Sequence, residues 1–177
     1  MHCYGDSRLI RHAENREPGL ADKLRCTGIL ARPGMLASAL DTAVLGGRQG
    51  TLAVVSIGGN DIERCETMEC VRRAEDRIGN VVSRLSRAYD RVAILGPPRG
   101  YRHQRLPLSS GEVTRRLEEI VGSYPGARVL RIDHIPAGYT SDGVHFDDAT
   151  NTRVAATIFT AHGDGPLGPN QAPHLSQ

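Results

Sequence analysis

Three short stretches of the chain hold residue types that could do chemistry together. Gly5-Asp6-Ser7 offers a hydroxyl, Gly58-Gly59-Asn60-Asp61 an amide behind two glycines, and Asp142-Gly143-Val144-His145 a carboxylate three residues before an imidazole. Serine is a weak nucleophile unless a base stands within hydrogen-bond reach and a third group fixes the tautomer of that base. An Asp-x-x-His loop supplies base and orienter at once, and the chain order Ser, Asp, His is compatible with a triad on an α/β sheet. Glycines let the backbone approach a ligand closely, and an amide just beyond them can donate to developing negative charge. Each stretch also has a plainer meaning. Asp-Ser before a helix caps it, Gly-Asn-Asp closes a strand in a turn, and Asp-x-x-His is a common surface loop. The conjunction is more specific, because it describes a nucleophile, an oxyanion donor and a base with its acid.

Such residues work only if the fold gathers them. The apolar, β-branched runs Leu52–Ile57, Val92–Leu95 and Val129–Ile132 predict strands, with a fourth at Thr27–Ala31 and a short fifth at His2–Tyr4. Helical period marks Leu36, Leu40, Ala43 and Val44, halted by Gly46-Gly47, and a longer helix through Val71, Ile78, Val81, Val82 and Leu85. Ser109 with Glu112 forms a capping box ahead of Val113, Leu117, Ile120 and Val121, and Tyr124-Pro125-Gly126 ends that helix. Asp147 or Asp148 caps a last helix with Val154, Ala155, Ile158 and Phe159, and another can begin at Arg8-Leu9-Ile10. Alternating strands and helices predict a parallel sheet covered on both faces, with its ligand crevice at the carboxyl ends of the strands. All three reactive stretches follow strands.

At this point the sequence resembles a known family. Gly5-Asp6-Ser7-Arg8-Leu9, Gly58-Gly59-Asn60-Asp61 and Asp142-Gly143-Val144-His145 are similar, in order and spacing, to the GDS(L), G-x-N-D and D-x-x-H blocks of the SGNH/GDSL hydrolases, a superfamily of esterases and lipases. Ala31-Arg32-Pro33-Gly34 resembles the remaining glycine block, with Gly28 as the alternative glycine. The resemblance runs from Gly5 to about Ile158. It implies a three-layer α/β/α sandwich around a flavodoxin-like five-stranded parallel sheet. It also implies that Ser7 attacks an ester carbonyl, that His145 is the base, and that Asp142 orients the imidazole. The oxyanion would be met by the N–H groups of Ser7 and Gly34 and by the Asn60 amide. Asp6 would hold its turn, and no metal or other cofactor is called for. The first strand is shorter than is usual in the family.

Composition narrows the partner. The 177 residues suit one domain, read here as 1–163 with a tail at 164–177 that is rich in Gly, Pro and polar groups. Net charge is +2, and the basic residues are nearly all arginine. Aromatic content of 4%, without tryptophan, gives nucleic acid no stacking platform, so no nucleic-acid partner is expected. The same scarcity disfavours a broad greasy groove and favours a small, short-chain (acetyl-type) ester, whether of an acylated sugar or a lipid. The loop Gly96–Leu108 carries Arg99, Arg102, His103 and Arg105, which would form a rim for an anionic leaving group, or simply a solvated face. Cys3, Cys26, Cys65 and Cys70 lie in or beside apolar runs and read as reduced, buried thiols of a reducing compartment, without zinc-ligand spacing. No apolar run is long enough to span a bilayer, and no signal peptide opens the chain. The rival reading is a catalytically silent interaction module of the same fold, within a larger protein of viral or mobile-element type.

Overall fold

Leu52 and Val54 face one side of their strand, Ala53 and Val55 the other, and all four are buried. A strand apolar on both faces needs cover on both, which is the mark of a parallel sheet between helical layers. The computed structural model describes residues 1–9, 18–41, 49–136, 138–139 and 145–162. Among them are strands β1 (His2–Gly5), β2 (Gly28–Ala31), β3 (Gly50–Ser56), β4 (Tyr89–Leu95) and β5 (Ala127–Leu130). They form one sheet in the order β2-β1-β3-β4-β5, every neighbouring pair parallel. This is the flavodoxin-like order, with its reversal at β1.

The helices divide between the two faces. α2 (Ala37–Asp41), α4 (Met68–Ala88) and α5 (Ser110–Val121) share a core with Tyr4, Ala53, Val55, Val92 and Ile94. α1 (Leu20–Lys23) and α6 (Asp148–His162) cover Cys3, Leu52, Val54, Ala93 and Leu95 on the opposite face. The short α3 (Gly59–Glu63) stands at the end of β3. Three layers therefore enclose two cores, and each fully buried Val, Leu or Ile contributes about 1.5–3 kcal/mol.

Local signals account for the helix starts. Thr67 caps α4 by accepting from Cys70 N at 3.2 Å, and buried Val71, Ala74, Ile78, Val81, Val82 and Leu85 follow at helical spacing. Ser109 caps α5 by accepting from Glu112 N at 3.3 Å. The Glu112 carboxylate turns to Arg115 and Arg116. Asp147 accepts from Thr150 N at 2.7 Å at the start of α6. β5 begins and ends two residues before the predicted run, because its partner β4 stops at Leu95, opposite Leu130. The remainder of the helix predicted from Leu36, the helix predicted beyond Leu9, and the tail lie outside the described residues.

The cysteines differ from their sequence reading. Cys3 stands at disulfide distance from Cys26 and Cys65 from Cys70, with Cα separations of 6.0 and 5.4 Å. Cys65 precedes α4, so the turn before the helix, which periodicity did not register, brings the second pair together. No helix among the described residues is long and apolar enough to cross a membrane.

Candidate active site

The carboxyl end of β1 is shaped by Gly5 and Asp6. Gly5 has φ +145°, and a Cβ there would collide with the Ser56 carbonyl, so only glycine lets β1 cross the end of β3 this closely. Asp6 N then donates to Ser56 O at 3.0 Å. The Asp6 carboxylate is buried and accepts from Ser56 Oγ (2.9 Å), Arg8 N (3.0 Å), Arg8 Nε (3.3 Å) and Asn60 Nδ2 (3.4 Å). A buried charge needs such partners, and here they fix the turn that presents half-buried Ser7. Asp6 thus holds the turn.

Gly34 ends the neighbouring β2 segment. Met35 N donates to Arg32 O at 3.2 Å across Pro33-Gly34, and Gly34 has φ +66°, the pattern of a type II turn with proline then glycine at its centre. Gly28, the alternative glycine, opens β2 opposite His2, at the other end of the sheet from Ser7. Asn60 follows Gly58, whose φ is +93°, in the first turn of α3. Its Nδ2 lies 3.4 Å from both Asp6 Oδ2 and Met35 O. These bonds are long, so the amide is placed but only weakly engaged. Ser7, Gly34 and Asn60 therefore come together at the ends of adjacent strands β1, β2 and β3.

Asp61 joins two of these turns. Its side chain, from a residue only 7% exposed, accepts the Ala37 N–H on both oxygens at 3.0 Å. Burial raises its pKa, and the backbone N–H groups of Ala37 and Gly58 oppose that rise. The sequence offered one signal for it, an acid directly after Asn60, but not the direction of the side chain.

His145 is half-buried on the segment between β5 and α6. Its neighbour Phe146 is buried in the core that also holds Leu9, two residues beyond Ser7. The stem of this segment is clipped shut. Tyr139 and Phe146 form an antiparallel bridge, Thr150 Oγ1 accepts from Gly138 N at 2.8 Å and donates to Gly138 O at 3.2 Å, and Asp147 N donates to Gly138 O. Gly138 has no room for a Cβ beside the Asp147 carboxylate. Asp142 lies outside the described residues.

The predicted rim is divided. Arg99 and Arg102 are exposed, while Arg105 pairs with Glu66. His103 is buried, its Nε2 donating to Ile62 O at 2.7 Å and its Nδ1 accepting from Arg105 N and Leu106 N, so the ring braces the loop from within and turns away from the rim. Tyr101 donates to Glu63 at 2.7 Å, and burial together with that carboxylate pushes its phenol well above the ordinary range. Tyr101, Pro97, Leu95, Val113 and Leu117 line a cavity of about 30 Å³ that Arg8 and Gly59 also border. Those last two residues adjoin Ser7 and Asn60.

No protein-family model matches the chain, and no curated protein does. Solved structures do. A lipase/acylhydrolase from Enterococcus faecalis is 21% identical with a TM-score of 0.64, covering 97% of this chain and 98% of its own. An acetylxylan esterase from Geobacillus stearothermophilus is 13% identical with a TM-score of 0.62, covering 92% and 93%. An alpha/beta hydrolase from the metagenome of Lake Arreo, Spain, is 16% identical with a TM-score of 0.66, covering 92% and 94%. Over nearly the whole chain the fold is therefore the α/β fold that these solved structures share, a parallel sheet with helices on both faces.

Proposed function

We propose that this chain is a serine hydrolase of carboxylic esters. Ser7 Oγ attacks the carbonyl carbon, and His145 takes the hydroxyl proton and returns it to the departing alkoxide. Asp142 holds the imidazole in the tautomer that can accept that proton. Water, activated by the same imidazole, then releases the acid and regenerates Ser7. The tetrahedral oxygen is met by the N–H groups of Ser7 and Gly34 and by the Asn60 amide.

One observation carries this reading: the Asn60 amide lies 3.4 Å from the Asp6 carboxylate and 3.4 Å from Met35 O, between the turns of Ser7 and Gly34. A donor held in place ahead of any substrate needs no reorganisation when negative charge forms beside it. The esterases and acylhydrolases that share the fold support the same reaction class.

The acyl group is short, of acetyl type. The cavity beside Arg8 and Gly59 holds about 30 Å³, room for little more than a water or a methyl group. Hydrolysis of p-nitrophenyl acetate, butyrate and octanoate by the wild type and by Ser7→Ala tests both parts. The reading expects turnover that falls with chain length and vanishes in Ser7→Ala. Turnover that survives in Ser7→Ala removes Ser7 as the nucleophile, and a preference for octanoate removes the short acyl pocket.

A further inference from the structure

Arg64 occupies the C-cap of α3, four residues beyond Asn60. Residues four apart lie on the same helix face, so its guanidinium emerges on the side that presents the Asn60 amide. It reaches the neighbouring turn as well: Arg64 Nη2 lies 3.6 Å from where a Cβ on Gly34 would stand. Arg32 opens that turn and lines, with Pro33, Gly34, Met35 and Ser38, an open groove of about 580 Å³. Both arginines are exposed.

The acids on α3 and just after it are committed elsewhere. Glu63 accepts from Tyr101, Glu66 pairs with Arg105, and Asp61 is buried against Ala37 N. Neither Arg64 nor Arg32 makes an ion pair among the described residues, whereas Arg105, Arg115, Arg116 and Arg131 all do. Two guanidinium groups thus flank the Gly34 turn without a counter-charge among the described residues. Each is permanently charged and presents planar donors matched to a carboxylate or a phosphate.

We propose that Arg64 and Arg32 form an anion subsite beside the oxyanion turn, selecting esters whose alcohol portion carries a carboxylate or phosphate. The inference rests on the esterase reading, because it places the acyl group in the small cavity and the alcohol portion in the groove. A leaving group tethered there is held by charge through both the attack and the proton transfer to its oxygen. Since both guanidinium groups are exposed, their pull weakens as salt screens it.

The test pairs two nearly isosteric esters, 4-acetoxybenzoate and 4-acetoxybenzamide, on the full chain and on Arg64→Gln and Arg32→Gln. Exposed Arg→Gln changes usually leave stability nearly unchanged. The wild type is expected to favour the benzoate in kcat/KM, with the benzoate-to-benzamide ratio falling at least about fivefold in Arg64→Gln and falling too at high salt. In parallel, NMR titration compares 4-hydroxybenzoate with 4-hydroxybenzamide, which needs no turnover, and tighter binding of the benzoate that depends on Arg64 is expected. A ratio near one in the wild type, or one unchanged by Arg64→Gln, overturns the subsite. If neither ester is cleaved, the esterase reading fails while the titration still decides the anion site. Equal binding of the two phenols then overturns it as well.

Discussion

Asp61 and Ala37 are joined by a buried carboxylate that accepts one backbone N–H on both oxygens, each at 3.0 Å. The bond spans the start of α3, which carries Asn60, and the start of α2, three residues past Gly34. The spacing of the amide and the glycine turn is therefore set by a side chain that is not itself an oxyanion donor. Asp61→Ala leaves the Ala37 N–H without its acceptor, at a cost of about 1–3 kcal/mol, and should lower kcat more than it raises KM. Asp61→Asn keeps an acceptor oxygen and should recover much of both losses. Equal activity in the Ala variant and the wild type would show that the two turns keep their spacing unaided.

The same carboxyl gives a signed pH effect. Burial holds its native pKa above the ordinary carboxylate value, so the native state keeps the proton to higher pH than the unfolded chain does. Its contribution to stability is complete below about pH 3.9 and is lost as pH rises through the native pKa. Asp61→Asn cannot titrate. Subtracting its stability curve from that of the wild type, by urea midpoints at successive pH values, should leave a difference that falls across that window. A flat difference contradicts the assignment.

Asn60 is expected to act on the transition state and little on substrate binding. Removing one preorganised oxyanion donor costs about 10²–10³ in kcat. Asn60→Ala should show that loss with KM little changed. A large rise in KM at unchanged kcat would assign Asn60 to ground-state binding.

Thr150, 1% exposed, satisfies both backbone groups of Gly138 and thereby closes the stem of the segment bearing His145. Thr150→Val keeps the shape and removes the hydroxyl. The Gly138 N–H, left without its acceptor while Gly138 O keeps the Asp147 N–H, should cost about 1–3 kcal/mol, seen as a lower Tm, and turnover should fall with it. Thr150→Ser, which restores the hydroxyl, should recover both. A Val variant as active and as stable as the wild type would mean that the clip does not position the histidine.

Leu117 and Val113 bound the small cavity from α5. Leu117→Ala enlarges it, at about 2–5 kcal/mol of stability. The ratio of butyrate to acetate hydrolysis should rise in the variant. An unchanged ratio would place the acyl group elsewhere.

The parallel sheet, its two covered faces and the strand ends that carry Ser7, Gly34 and Asn60 were legible in the sequence, because apolar runs and glycine turns are local signals. β4 was read three residues short, since Tyr89, Asp90 and Arg91 are a polar or aromatic start that no apolar run marks. In the sheet Tyr89 pairs with Gly50 and Arg91 with Leu52 of β3, and Tyr89 bonds to Tyr4 at 2.6 Å. α1 and α3, four and five residues long, are too short to show a period. The rim was legible only in part: Arg99 and Arg102 are exposed as read, and His103 is not. Whether an arginine meets a carboxylate or faces a groove depends on partners far away in sequence, as with Arg105 and Glu66, and His103 is drawn inward by backbone groups that no motif announces.

Covalent labelling shows whether Ser7 is the nucleophile. Incubating the protein with a fluorophosphonate and locating the adduct by peptide mass spectrometry asks which oxygen is the activated nucleophile. One adduct is expected, on Ser7, formed in step with loss of ester hydrolysis and absent from Ser7→Ala. An unlabelled Ser7 in folded protein, or an adduct on another residue that abolishes the activity, would contradict that expectation.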